Sequence, residues 1–189
     1  MNLSKRIFDL VIAIPTGILL IVPMILVALC IKMNSKGPML YWSDRVGLEN
    51  HIFSMPKFRS MQIGTPALAT HLLDNPDRHL TSIGKFLRRT SLDEVPQIWS
   101  ILKGDMSLVG PRPALFNQED LIKLRTERGI HHLVPGLTGW AQINGRDELS
   151  ISEKVKLDEE YLNCQSLMFD TKILITTFFG VLARKGVSH

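Results

Sequence analysis

From Leu10 to Ile31 the chain carries no charged side chain, and that stretch constrains the fold more than any other. Roughly 22 apolar residues make a helix long enough to cross the hydrocarbon of a bilayer. Lys5 and Arg6 precede the run, and Lys32, Lys36 and Arg45 follow it. Three structures compete for this pattern. A cleaved signal peptide shares the basic start, but the run is long and no small-x-small site follows it. Leu29 also stands before Cys30, where a lipoprotein cleavage site needs a small residue. A plain spanning helix follows from hydropathy alone. The third structure is a re-entrant or broken helix with both ends on the cytoplasmic face. Pro15 and Pro23 each remove a backbone donor and crowd the preceding turn, and positive charge flanks both ends.

The whole chain of 189 residues has room for one ordinary domain, and 45% hydrophobic against 21% charged residues argues against disorder. A net charge of +4 suits an anionic membrane or a phosphorylated ligand. Nucleic acid is disfavoured, because aromatics are few and no nucleic-acid motif is recognisable. The two cysteines, Cys30 and Cys164, lie far apart without a CxxC or Cys/His cluster, which argues against a disulfide framework and a zinc site.

Past the apolar segment the pattern predicts an α+β, mainly helical fold. Residues 39–42 and 51–53 read as strands of a small β-hairpin around a turn at 47–50. Residues 64–79 read as a polar loop with one short helix at 68–73. An amphipathic helix is expected over 82–89, suited to covering a core or lying on an anionic membrane. Charged surface helices are expected over 118–128 and 150–162, the second with a Ser150/Glu153 cap. A last apolar helix over 170–183 is too short to span, so it is core or interfacial. Residues 135–146 are dense in glycine and polar side chains and read as a functional loop.

Asp93 and Glu94 stand side by side near Arg88-Arg89, and Gly110-Pro-Arg-Pro113 follows. Adjacent acids among arginines and glycine-rich turns are what phosphate chemistry needs: a nucleophile or metal ligand, with cations to hold the anion. The structural alternative is a capping box, Ser91-x-x-Glu94, opening a helix that stops at Gly104. Both readings place the acids at a helix N-terminus, where anions are favoured.

Four blocks in order, Lys57–Met61 (KFRSM), Ser91–Trp99 (SLDEVPQIW), Leu102–Pro113 (LKGDMSLVGPRP) and Pro135–Arg146 (PGLTGWAQINGR), resemble the bacterial sugar transferases, the monotopic phosphoglycosyl transferases, in what looks like their minimal catalytic form. The resemblance implies transfer of a sugar-1-phosphate from a UDP-sugar to polyprenyl (undecaprenyl) phosphate, with release of UMP, at the start of glycoconjugate assembly. It implies that Asp93 forms an aspartyl-phosphosugar intermediate, that Glu94 assists the metal or a proton transfer, and that both acids attend Mg²⁺. Arg112 is the first choice as phosphate clamp, followed by Lys57, Arg88 and Arg146. Gln142, Asn144 and Arg146 can bind nucleotide or sugar; the alternative is a loop that bonds itself. Asp158 and Asp170 lie in family-like stretches and are expected as helix-surface salt bridges or caps.

The resemblance favours the re-entrant helix, giving a membrane-inserted segment over 1–36 and a catalytic domain over 37–189 at the cytoplasmic face of the bacterial inner membrane. Membrane lipids are then partners, and a homodimer is a possible assembly. Two positions depart from the family pattern: Val22 precedes Pro23 where a small polar residue is usual, and Ser43 stands where many relatives carry an amide. Two rivals are a non-catalytic membrane scaffold that binds lipid phosphate and recruits glycosyltransferases, and an isoprenoid-phosphate phosphatase. The intact acid pair argues against the scaffold, and the lack of a hydrolase motif against the phosphatase.

Overall fold

The computed structural model describes residues 2–66, 75–145 and 148–182; the short helix expected at 68–73, the end of the last helix at 183, and Arg146 lie outside them. The architecture is α+β and mainly helical. Helix α1 (Leu3–Asn34) opens on Asn2, whose side chain accepts from Ser4 N, runs through Pro15 and Pro23, and ends where Ser35 N donates to Ile31 O. It is long and apolar enough to cross a membrane, and only 6% of its most apolar window is buried against protein. Val11, Ile18, Leu19, Val22 and Leu26 are all exposed.

Both ends of α1 dock on the same body. At the start, Lys5, Asp9 and Ala13 recur every fourth residue and are buried as one stripe. Lys5 Nζ pairs with Asp170 at 2.6 Å, the Asp9 carboxylate accepts from Leu108 N, and the Arg6 guanidinium donates to the Ile101 and Leu102 carbonyls. At the other end Ile31 is fully buried in a cluster with Phe58 and Leu87. Just beyond it, Arg59 donates to Ser35 and to the Lys36 carbonyl.

The hairpin pairs β1 (Leu40–Val46) with β2 (Ile52–Phe58) antiparallel, Tyr41 facing Lys57, Ser43 facing Met55 and Arg45 facing Phe53. Period-two alternation puts these six side chains on one face. The strands run several residues longer than the apolar segments that announced them. Next come α2 (Gly84–Arg89), a 3₁₀ segment (Leu92–Gln97), α3 (Ile98–Lys103), β3 (Ser107–Val109) and α4 (Glu119–Glu127). The chain closes with β4 (Gly136–Thr138), α5 (Trp140–Ile143), α6 (Ile151–Cys164) and α7 (Leu167–Leu182).

The stretch read as a loop at 135–146 is largely ordered into β4 and α5. Strand β4 pairs parallel with β3, and a Cβ on Gly136 would sit 2.1 Å from Gly110 N. Only glycine permits so close an approach. Helix α7 is both core and surface: Ile173 is fully buried, while Phe178 and Phe179 are each 62% exposed. Asp158 and Asp170 are not surface residues. Each is buried, Asp158 paired with Arg125 at 2.6 Å and Asp170 with Lys5, because their cationic partners come from α4 and α1 rather than from their own helices.

Candidate active site

The segment Leu92–Gln97 packs against β2 and brings the acid pair to the hairpin's charged face. Its entry residue, Ser91, has left-handed backbone (φ 55°) and makes no side-chain cap. The capping box expected at Ser91 and Glu94 is therefore not formed. Glu94 turns instead to two cations: Lys57 Nζ donates to its Oε1 at 2.8 Å and Arg112 Nη2 donates to the same oxygen at 2.7 Å. Charge-assisted bonds to two cations outweigh a single backbone N–H. At Ser150 no cation among the described residues bonds to Glu153, and the same S-x-x-E spacing forms a full capping box.

Asp93 is its neighbour's opposite. It is buried, yet among the described residues nothing hydrogen-bonds to its carboxylate. Burial pushes its pKa up to about 6; Lys57, Arg88 and Arg112 pull it down, and the Glu94 charge adds to the rise. Burial alone would raise Glu94 as well, but Arg112 and Lys57 overcome that and hold it well below the usual carboxylate range. Burial likewise lowers Lys57, with Glu94 opposing the shift.

Of the expected ligand-binding residues, Lys57, Arg88 and Arg112 converge on the acids. Arg88 sits in the last turn of α2, where its Nε donates to Ser60 Oγ and its Nη2 lies 3.3 Å from Met61 Sδ. Arg112 follows β3, and its main-chain carbonyl accepts from Arg125 Nη1 at 2.8 Å. Arg125 is in turn fixed by the buried Asp158. Among the described residues Gln142 and Asn144 form no hydrogen bond with the cluster. Gln142 Nε2 donates to Leu137 O, and Asn144 Nδ2 to Trp140 O, so these amides bond their own segment.

A fourth cation, which no sequence motif marks as a site residue, joins Lys57, Arg88 and Arg112. Arg45 donates to the Pro113 carbonyl and feels both Arg112 and Glu94; burial, then Arg112, lowers it to about 10. Its signal was register, since Arg45 lies on the hairpin face that carries Lys57. Four cations, Arg45, Lys57, Arg88 and Arg112, thus surround two carboxylates. That surplus of positive charge favours an anionic ligand carrying more than one negative charge.

Fold and site together describe a cation-rich cluster suited to an anionic ligand on a domain that carries a candidate membrane anchor. The sequence profile described as Bacterial sugar transferase matches residues 1–184, and the chain belongs to that family. It is 42% identical to the UDP-glucose:undecaprenyl-phosphate glucose-1-phosphate transferase of Escherichia coli (strain K12), over 98% of this chain and 41% of the relative. It is 40% identical to the undecaprenyl-phosphate glucose phosphotransferase of Komagataeibacter xylinus, over 93% of this chain and 35% of the relative. With the uncharacterized sugar transferase EpsL of Bacillus subtilis (strain 168), 38% identity covers 98% of this chain and 90% of the relative. The chain thus spans well under half the length of the first two relatives.

Proposed function

We propose that this protein transfers a sugar-1-phosphate from a UDP-sugar to polyprenyl phosphate through an aspartyl-phosphosugar intermediate on Asp93. One observation carries the reading: Asp93 is a buried carboxylate that accepts no hydrogen bond from the described residues, beside an acid bonded to two cations. An oxygen free to move within a cationic shell can reach a phosphorus atom, whereas one held by Lys57 and Arg112 cannot leave without breaking both bonds.

In the first step an Asp93 oxygen attacks the phosphorus that bears the sugar. The bond from that phosphorus to the bridging oxygen breaks, and UMP leaves with the electron pair. In the second step an oxygen of the lipid phosphate attacks the same phosphorus, and the Asp93 carboxylate departs, leaving polyprenyl diphosphosugar. Arg112, Lys57, Arg88 and Arg45 offset the charge that otherwise keeps a carboxylate from a dianion. Splitting the transfer lets one small site serve a soluble donor and a lipid acceptor in turn.

Mg²⁺ belongs to this reading. The hard oxygens of Asp93 and Glu94 Oε2, which accept no hydrogen bond from described residues, are donors that suit it. When bound, the ion would neutralise and polarise the diphosphate.

The same proposal sets the protein in the bacterial cell membrane, with its catalytic domain at the cytoplasmic face. Two observations support a re-entrant α1. Both of its ends dock on one domain, and its outer face is bare and apolar. The exposed Phe178, Phe179 and Val181 of α7 supply further apolar surface for lipid.

The test is a UMP-release assay with purified protein, Mg²⁺, polyprenyl phosphate and a panel of UDP-sugars. Release with at least one donor, lost in Asp93→Ala, is the expected result. No release with any donor, or an Asp93→Ala variant as active as the wild type, contradicts the proposal.

A further inference from the structure

At the turn of the hairpin, far from the acid pair, Glu49 meets two consecutive histidines of the 3₁₀ segment Ile130–His132. His132 Nδ1 lies 2.8 Å from Glu49 Oε1, and His131 Nε2 lies 3.9 Å from Glu49 Oε2. One donor atom from each of the three residues can be taken so that all three lie within 4.8 Å of one another. Tetrahedral bonds of about 2.0–2.1 Å place neighbouring donors about 3.3 Å apart, and the two gaps, each to a different oxygen of Glu49, lie on either side of that value. Nε2 is the nitrogen of His131 that faces Glu49, while its Nδ1 is buried without a hydrogen-bond partner among the described residues.

The backbone holds this arrangement. Glu49 and Asn50 are consecutive left-handed residues, at φ 54° and 60°. Two non-glycine residues in that region require a surrounding structure that fixes them. Asn50 Nδ2 donates to Thr126 Oγ1 of α4, which keeps the turn against the segment that carries the histidines. Gly129, left-handed at φ 71°, ends the preceding helical turn and lets the two imidazoles follow directly. Their ring centroids are 3.9 Å apart.

We propose that Glu49, His131 and His132 form a binding site for a borderline divalent transition-metal ion of the zinc class. Two imidazoles and one carboxylate are a known donor chemistry for zinc, need no cysteine, and leave a coordination position for water. Imidazole also selects this class over Mg²⁺, so the Mg²⁺ proposed for the transfer reaction does not fill the site. From His51 at the turn to Lys57 is six residues of extended strand, about 20 Å, which makes this site separate from the acid pair. The ion would staple the hairpin tip to the segment that leads into β4. The hairpin is then held at both ends, by the metal at its turn and by the Lys57–Glu94 pair near its open end.

The test uses tag-free, chelator-stripped protein titrated with Co²⁺ for visible absorption and with Zn²⁺ for calorimetry, in excess Mg²⁺. Wild type is expected to bind one equivalent with a ligand-field band, and its melting temperature is expected to rise with Zn²⁺. Glu49→Gln and His132→Gln alter exposed side chains; each should weaken binding by about tenfold or more and abolish the rise. His79→Gln should behave as wild type. X-ray absorption of the zinc-loaded wild type should show two imidazoles and oxygen donors, a readout that needs no variant. The absence of saturable binding, binding unchanged in both Glu49→Gln and His132→Gln, or a zinc shell without two imidazoles would overturn the proposal.

Discussion

At neutral pH Asp93 carries a charge that its burial disfavours, and this sets what its removal does. An unfolded aspartate ionises near pH 4, about 3.9, while folded Asp93 ionises at about 6. Between those values the folded state binds more protons than the unfolded one. This group's contribution to stability therefore falls as pH rises through that window and stays lost above it. Asp93→Asn should abolish sugar-phosphate transfer yet raise stability at pH 7 by about 1–3 kcal/mol, read from urea unfolding. A variant no more stable than wild type would contradict the assigned environment.

In the proposed mechanism the same ionisation governs the rate, because only the carboxylate can attack phosphorus. The acid limb of kcat/KM should fall as pH drops through about 6. Glu94→Gln removes a like charge and releases Lys57 and Arg112, so the limb of its residual activity should move to lower pH. A limb that stays put or rises would contradict this coupling. Arg112→Lys keeps the charge but loses the planar fork, and should cost about tenfold or more in kcat/KM with little change in melting temperature.

At the scale of the elements, the Asp158–Arg125 pair joins α6 to α4 and supports the Arg112 carbonyl from behind. Asp158→Asn leaves Arg125 charged and buried, and should destabilise the fold by about 3–5 kcal/mol in urea unfolding. Arg125→Met in that background should recover part of the loss, and no recovery would contradict an uncompensated charge as the cause. The hairpin and helices α4, α6 and α7 were legible in the sequence because periodicity and caps are local signals. Strands β3 and β4 were not, since three residues are too few for alternation to show. S-x-x-E forms a cap at Ser150 and none at Ser91, because Lys57 and Arg112 arrive from distant segments. Asp170 is buried rather than on a helix surface for the same reason: its partner Lys5 is 165 residues away.

For the whole molecule, the apolar run and the ordered motifs make the broad outline legible: a candidate membrane anchor, a mainly helical α+β fold and an acid pair among cations. The geometry adds the different surroundings of the two acids and the place of Arg45, both of which depend on tertiary contacts. It also ties both ends of α1 to one domain. Single cysteines at Asn2 and Asn34, in a variant lacking Cys30 and Cys164, should both be labelled by an impermeant maleimide from the catalytic-domain side of sealed vesicles. Labelling of either from the opposite side would contradict the re-entrant reading.

The central claim, a covalent phosphosugar on Asp93, is tested most directly by intact-protein mass spectrometry. The protein is mixed with Mg²⁺ and a UDP-sugar that supports turnover, with no lipid phosphate present. A mass increase equal to one sugar phosphate is expected in wild type, discharged by polyprenyl phosphate and absent in Asp93→Asn. Turnover without any adduct, or an adduct that survives in Asp93→Asn, would contradict it.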